Sequence, residues 1–205
     1  LYWKYETLLK KLSGRLGTLP GGAGAIFALR LDAYEPLTEF RGDDFELPVM
    51  AIIKGFRSVF IEDALSFEPP SPDLLTEFRR KKRIVGIMVP SGFALFGKAL
   101  MRGRFLLAFQ LLSHKILRWL VPFFMIALLL CSILLWNAGI FWRIAFLVQV
   151  IFYILAISGW AYENVGKAPP KVFRLPFYFT MVNVAGLMGF LRAIGGKPIK
   201  WERNR

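Results

Sequence analysis

The sequence lacks the residues from which several common kinds of functional site are built. Its 205 residues include one cysteine, Cys131, and one histidine, His114. These counts exclude an intrachain disulfide, a cysteine metal cluster and a metal site built from several histidines. The sequence also contains no P-loop, no GxGxxG after a strand and no serine–histidine pattern of a hydrolase. Any chemistry must therefore depend on carboxylates, basic residues and glycine-rich loops.

Charged residues are scarce in the second part of the chain. Residues 1–118 contain 18 Lys/Arg and 12 Asp/Glu, whereas residues 119–205 contain 9 and 2. No charge occurs over 119–142 or over 144–162, and each run is long enough for a helix that crosses about 30 Å of hydrocarbon. With a hydrophobic fraction of 56%, the composition predicts a polar domain followed by a membrane region.

This division predicts the organisation of the whole chain. By the positive-inside rule, the basic loop over 163–174 lies in the cytoplasm. Two membrane helices separate this loop from the polar domain, which is therefore expected in the cytoplasm as well. The uncharged run over 175–191 is a third candidate, but as a spanning helix it would put the basic C-terminal tail outside, against the same rule. This run therefore spans, is re-entrant or lies at the interface, and we expect a membrane-embedded helix. The expected parts are a soluble domain over 1–85, an interfacial amphipathic segment over 86–118, membrane helices over 119–194 (119–137, 141–161 and 175–192) and a basic tail over 195–205.

The polar domain alternates helical and strand-like patterns. Apolar residues at helical spacing predict helices over 2–12, over 43–55 with Pro48 in the first turn, and over 74–84. Short apolar runs over 25–30 and 56–61 predict strands. The predicted fold class is therefore α/β, followed by an α-helical transmembrane region.

The net charge of +13 raises the possibility of a nucleic-acid partner. Many of the basic residues lie beside apolar runs, as in proteins that face anionic lipid. We therefore expect a lipid bilayer as the partner and no nucleic acid.

Four motifs occur in a fixed order before the apolar runs. They are the glycine loop and strand GGAGAIFALR (21–30), GDD at a helix start (42–44), KGFRSVFIEDA (54–64) and the basic EFRRKKRI (77–84). This order resembles the second half of a membrane-bound family 2 glycosyltransferase, the group that contains cellulose, hyaluronan and chitin synthases. The resemblance implies part of a GT-A-like catalytic domain on a membrane anchor. It also implies an inverting sugar transfer from a nucleotide sugar to a saccharide or lipid-linked acceptor, in cell-envelope or extracellular polysaccharide synthesis.

The resemblance also implies roles for individual residues. Asp44 is the general base, and Asp43 supports it. Gly22, Ala23 and Gly24 contact the acceptor. The family's Gln-x-x-Arg-Trp motif falls on 80–84, so that Arg83, with Arg80, contacts the nucleotide diphosphate. The motif's tryptophan is replaced by Ile84, which favours a non-processive transferase acting on a lipid carrier over a processive synthase.

The family's metal ligands lie upstream of the residues matched here. The resemblance therefore implies a divalent cofactor, Mg²⁺ or Mn²⁺, with no metal ligand in this chain, and a chain that is inactive alone. It places the protein in a bacterial inner membrane with the catalytic domain in the cytoplasm.

Each of these residues has a simpler interpretation. Asp43 and Asp44 can cap a helix, since aspartate is a preferred N-cap residue. The basic run can be a solvated or lipid-facing stripe, and the glycines can serve backbone geometry alone. On that interpretation the chain is a non-catalytic membrane protein with a lipid-binding basic helix.

Overall fold

The computed structural model describes residues 2–37, 42–67 and 73–196. Most of the predicted basic tail therefore lies outside the described residues. Short 3₁₀ turns occur at Leu31–Ala33 and Trp136–Ala138, and a π-helical turn at Leu112–Ile116. The α-helices of the described residues are α1 Tyr2–Arg15, α2 Asp43–Lys54, α3 Leu74–Met101, α4 Phe105–Leu111, α5 Leu117–Leu134, α6 Ile140–Asn164 and α7 Lys171–Ile194.

The predicted α/β class is wrong for the described residues, which form helices and loops and no sheet. The segments over 25–30 and 56–61, both predicted as strands, are irregular. The β pairing within residues 2–37, 42–67 and 73–196 consists of two isolated bridges, between Thr18 and Ser58 and between Ala23 and Ile26. A strand needs a neighbouring strand to satisfy its backbone groups, whereas a helix satisfies them internally. The apolar run over 25–30 has no such neighbour among the described residues, and Ile26 remains 49% exposed.

Helix α2 organises the core of the first part of the chain. Phe45, Val49, Ile52 and Ile53 follow helical spacing and are buried. The helix ends, as predicted, at Gly55, whose φ of 104° favours glycine. Pro48 lies in the second turn rather than the first. The core residues that α3 and α4 contribute around α2 are Leu95, Ala99, Leu107, Ala108 and Leu111.

Helix α3 is much longer than the predicted helix over 74–84. It continues through Pro90 to Met101 and packs closely on two other helices. A Cβ at Gly92 would collide with the ring of Trp119 in α5, and one at Gly189 of α7 would collide with the α3 backbone near Lys82. Small residues at such crossings let helices approach closely.

Four helical stretches are long and apolar enough to cross a membrane. They are Leu74–Met101, Phe105–Leu134, Ile140–Asn164 and Lys171–Ile194. The last three overlap the predicted spans over 119–137, 141–161 and 175–192, while the first was not anticipated as a candidate. The predicted division of the chain into domains stays a prediction.

Helices α6 and α7 form an antiparallel pair. Tyr162 of α6 lies against Phe173 near the start of α7, and Phe152 lies against Phe179 further along. Gly159 makes room for Phe177 between these two contacts. Because α7 also packs on α3 and α5 through Phe190, it connects the segment that carries the basic run to the apolar hairpin of α5 and α6.

Candidate active site

The two aspartates at the start of α2 have different surroundings. The N-cap position is Gly42, and no side chain caps the helix there. Asp43 is exposed, and its Oδ1 accepts the backbone N–H of Asp44 at 2.9 Å. Asp44 is half-buried. The second aspartate therefore points into the protein while the first faces solvent.

The glycine loop lies directly on Asp44. The N–H of Gly22 donates to the backbone oxygen of Asp44 at 2.6 Å. A Cβ built at Gly24 would lie 3.1 Å from Oδ2 of the Asp44 carboxylate, so the loop leaves little space beside that oxygen. The structure thus brings Gly22 and Gly24 against Asp44, which follows them by about twenty residues in the sequence.

Pro48 explains why the loop can dock there. In an uninterrupted α-helix, the N–H of residue 48 would bond to the carbonyl of residue 44. Proline has no N–H, so the Asp44 carbonyl needs another donor. Gly22 supplies that donor. The proline inside α2 and the glycine loop are therefore two parts of one local arrangement.

Burial raises the pKa of the Asp44 carboxyl above its ordinary value, and the neighbouring charge of Asp43 raises that pKa further. The ammonium of Lys115 and the backbone N–H groups of Asp44 and Phe45 act in the opposite direction. Asp44 is thus a carboxylate whose proton affinity is higher than that of an ordinary aspartate.

Lys115 is a functional candidate that the sequence pattern did not single out. It lies in the π-helical turn over 112–116, and its Nζ is 5.2 Å from the ring centroid of Phe45. Besides Asp44, it interacts electrostatically with Glu6 of α1. π-helical turns are rare and often occur at functional sites. The only sequence signal was a lysine within a predominantly apolar helical run.

A second carboxylate of α2 holds the helix in place. Glu46 is buried, and its Oε1 accepts a short hydrogen bond from the Ser91 hydroxyl of α3. Ser91 is itself buried. This bond ties the turn that carries Asp44 to α3, the helix that also carries the basic run.

The two arginines assigned to the nucleotide diphosphate lie further along α3. Arg80 makes a two-pronged ion pair with the buried Glu77, with N–O distances of 2.8 and 2.9 Å. Arg83 lies five residues before Met88, whose methyl group approaches Gly42 at the start of α2. Five residues correspond to about 7.5 Å of helix. The structure therefore positions the basic run on the helix that contacts the Asp44 turn.

The described residues contain no group of three or more His, Cys, Asp or Glu side chains that could hold a metal ion. The two aspartates of the site, Asp43 and Asp44, are adjacent in the sequence. An oxygen of Asp43 already accepts a backbone N–H. These two residues do not fit a divalent-metal site by themselves, because Mg²⁺ and similar ions take several oxygen ligands.

Taken together, the site consists of a half-buried carboxylate, a glycine loop against it and a lysine ammonium in electrostatic contact. A carboxylate with a raised proton affinity can accept a proton from a nearby hydroxyl.

Comparison with known families gives one match. The model of "Glycosyl transferase family group 2" matches residues 8–188, which include the glycine loop, Asp44, the basic run and most of the apolar helices. Comparison with curated proteins and with solved structures gave no match.

Proposed function

The chain belongs to glycosyl transferase family group 2, and from this premise we propose that it forms the acceptor side and membrane anchor of an inverting glycosyltransferase. The enzyme transfers a sugar from a nucleotide sugar to a saccharide or lipid-linked acceptor. The observation that carries the proposal is the half-buried Asp44 carboxylate, which lies against the glycine loop and has a raised pKa.

In the proposed reaction, Asp44 takes the proton from an acceptor hydroxyl as the hydroxyl oxygen attacks the anomeric carbon. The new bond forms on one face of the sugar, and the bond to the nucleotide diphosphate breaks on the other. The proton ends on the Asp44 carboxylate, and the departing diphosphate carries the electron pair. A positioned base of this kind contributes about 10²–10⁴ to the rate.

The remaining site residues have supporting roles in this proposal. Gly22, Ala23 and Gly24 border the path of the acceptor, and their lack of large side chains keeps that path open. Asp43 raises the proton affinity of Asp44. Arg83, with Arg80, neutralises charge that develops on the leaving diphosphate, as guanidinium groups do for phosphates.

A divalent metal, Mg²⁺ or Mn²⁺, and the remainder of the donor site belong to a preceding part of the same protein in this proposal. In support, apolar side chains on the surface of the first part of the chain are exposed. Leu8 and Leu12 of α1 are about half exposed, and Phe67 is 92% exposed. Large apolar side chains left exposed in this way are suited to contact another part of a protein.

The replacement of the stacking tryptophan by Ile84 favours the transfer of single sugars to a lipid carrier over processive synthesis. The four apolar helical stretches support an integral membrane protein. We propose a bacterial inner membrane with the site on the cytoplasmic side.

The direct test is Asp44→Asn in the full-length protein, assayed with radiolabelled nucleotide sugars and membrane-extracted acceptors. Asparagine keeps the size of the side chain but cannot take the proton. Transfer should fall by about 10²–10⁴, while the affinity for the nucleotide sugar should change little.

Asp32→Asn is the matched control, because it removes the same charge from an exposed side chain that pairs with Arg30 and has no role in the proposed site. It should keep most of the transfer activity. If Asp44→Asn and Asp32→Asn lower transfer equally, or if neither does, Asp44 is not the base. A full-length wild-type protein that transfers no sugar would support the non-catalytic alternative.

A further inference from the structure

The structure contains a cleft at the end of α2 opposite Asp44. It has a volume of about 360 Å³. Its apolar side is formed by Met50, Ile53 and Met101. Its rim is formed by three cations and one carboxylate, Lys54, Lys98, Arg102 and Glu35. Ten residues of α2 separate Asp44 from Lys54, which corresponds to about 15 Å of helix. The cleft is therefore distinct from the candidate active site.

Among the described residues, the rim of the cleft carries more positive than negative charge. Lys54 pairs with Glu35 at 2.9 Å, and its Nζ also lies 3.4 Å from the Ala33 carbonyl oxygen. Lys98 and Arg102 are exposed, and neither forms an ion pair within the part of the chain that the structure describes. Two cations thus remain available at an apolar hollow, which favours a ligand that is anionic and partly apolar.

The position of the cleft indicates the source of such a ligand. Arg102 lies in the turn between Leu74–Met101 and Phe105–Leu134, two of the stretches that can cross a membrane. Basic residues beside apolar stretches lie at the level of the lipid head groups, where they attract anionic lipid. Next to the cleft, Met101 is 81% exposed and Phe105 is 69% exposed. Apolar side chains at that level are suited to contact acyl chains.

We propose that this cleft binds the phosphate head group of an anionic membrane phospholipid. Lys98 and Arg102 contact the phosphate, and the glycerol and upper acyl carbons lie over Met101 and Phe105. The site is independent of sugar transfer, so its existence does not rest on the role of Asp44.

The test uses the full-length protein in neutral detergent, titrated with phosphatidylglycerol or phosphatidylcholine and followed by native mass spectrometry and by the shift in Tm. Phosphatidylglycerol should bind and raise the Tm, and phosphatidylcholine should do neither. The double variant Lys98→Gln/Arg102→Gln should bind phosphatidylglycerol about ten to thirty times more weakly.

Lys11→Gln/Arg30→Gln is the matched control. It removes the same charge, and both residues already form surface ion pairs, with Glu62 and Asp32. This variant should bind the lipid like the wild type. Equal loss in both double variants would show a general charge effect, and no loss in either would show binding elsewhere; both results overturn the proposal.

Two further measurements on the wild type keep the proposal testable if a variant does not fold. A photoreactive phosphatidylglycerol should label the peptide over 98–105, and labelling only elsewhere would contradict the assignment. Inorganic phosphate at millimolar concentration should fail to displace the lipid. If it displaces the lipid and raises the Tm alone, the cleft is a free-phosphate site and the lipid assignment is wrong.

Discussion

Helices α2 and α3 both begin at aspartate-containing segments, yet the two starts are built in opposite ways. At α3, Asp73 is the N-cap, and its Oδ1 accepts the N–H of Thr76 at 2.6 Å. That hydrogen bond, followed by one from the Thr76 hydroxyl, lowers the pKa of Asp73. At α2 the N-cap is Gly42, and Asp44 lies inside the helix, where burial raises its pKa.

The comparison separates a structural carboxylate from one with the properties of a base. Asp73 stabilises its helix because its charged form is hydrogen-bonded in the folded state. Asp44 lies in a place that disfavours its charged form, so that its ionisation costs stability. Ionisable side chains whose surroundings disfavour the charged form are concentrated at functional sites.

After the loss expected from Asp44→Asn, the largest expected effect comes from moving the carboxylate without removing it. Asp44→Glu keeps the charge but displaces it by one methylene, roughly 1 Å or more from its position by the glycine loop. A misplacement of that size can cost about 10²-fold in rate. Asp73→Glu, measured in the same transfer assay, should leave the rate per folded molecule unchanged. Similar rates for Asp44→Glu and the wild type would contradict a positioned base.

The next effect concerns the lysine that stabilises the ionised form of Asp44. Lys115→Met removes a positive charge, so the pKa of Asp44 rises further. Because the base works when ionised, the acid limb of kcat/KM should move to higher pH. Transfer should then fall several-fold at acidic pH and little at alkaline pH.

The control for Lys115→Met is Lys11→Met, whose ammonium instead pairs with Glu62 at 2.7 Å. Its pH profile should superimpose on that of the wild type. A uniform loss across all pH values in Lys115→Met would assign the lysine to substrate binding rather than to the pKa of Asp44.

A smaller loss is expected from crowding the loop. Gly24→Ala places a methyl group 3.1 Å from the Asp44 carboxylate oxygen, so the loop or the carboxylate must shift by a few tenths of an ångström. Transfer should fall by about threefold to tenfold. Gly97→Ala on α3 is the control, since its Cβ meets no atom within 4 Å. If Gly24→Ala is as active as this control, the loop does not border the acceptor path.

The smallest effect is on stability, and its sign differs between the two aspartates. The folded pKa of Asp44 lies above its ordinary value of 3.8, so its ionisation destabilises the fold increasingly as pH rises from 3.8 through the folded pKa. Asp44→Asn should therefore raise the Tm at neutral pH.

Asp73 has a lowered pKa, so its ionised form stabilises the fold above pH 3.8. This contribution is lost as the pH falls through the folded pKa of Asp73. Asp73→Asn should lower the Tm at neutral pH, as thermal scans between pH 3 and 8 can measure.

The sequence predicted well those features that depend on local pattern. Helix α2 begins and ends where Asp43 and Gly55 indicated, and the apolar runs after residue 119 are helices of membrane length. The family resemblance, which rested on the order of short motifs, is confirmed by the match over residues 8–188. These features follow from helix propensity, end signals and motif order, which neighbouring residues carry by themselves.

The errors concern segments whose structure depends on distant partners. The runs over 25–30 and 56–61 have the composition of strands, but a strand requires a second strand that the described residues do not provide. The basic helix over 74–84 was expected to end early, because Pro90 and Gly92 interrupt the apolar segment that follows. Packing on α5 and α7 instead carries α3 through both residues to Met101.

The sequence alone determined helix α2, the apolar stretches after residue 119 and the family, because each depends on residues that are close together along the chain. Only the tertiary structure decided that Asp44, and not Asp43, is half-buried, and that Gly22, Gly24 and Lys115 surround it. The physical reason is that a carboxylate's proton affinity depends on its burial and on charges brought close by folding. Neither the missing N–H of Pro48 nor the lysine of the π-helical turn has any effect on Asp44 until the chain brings the loop and the helices together.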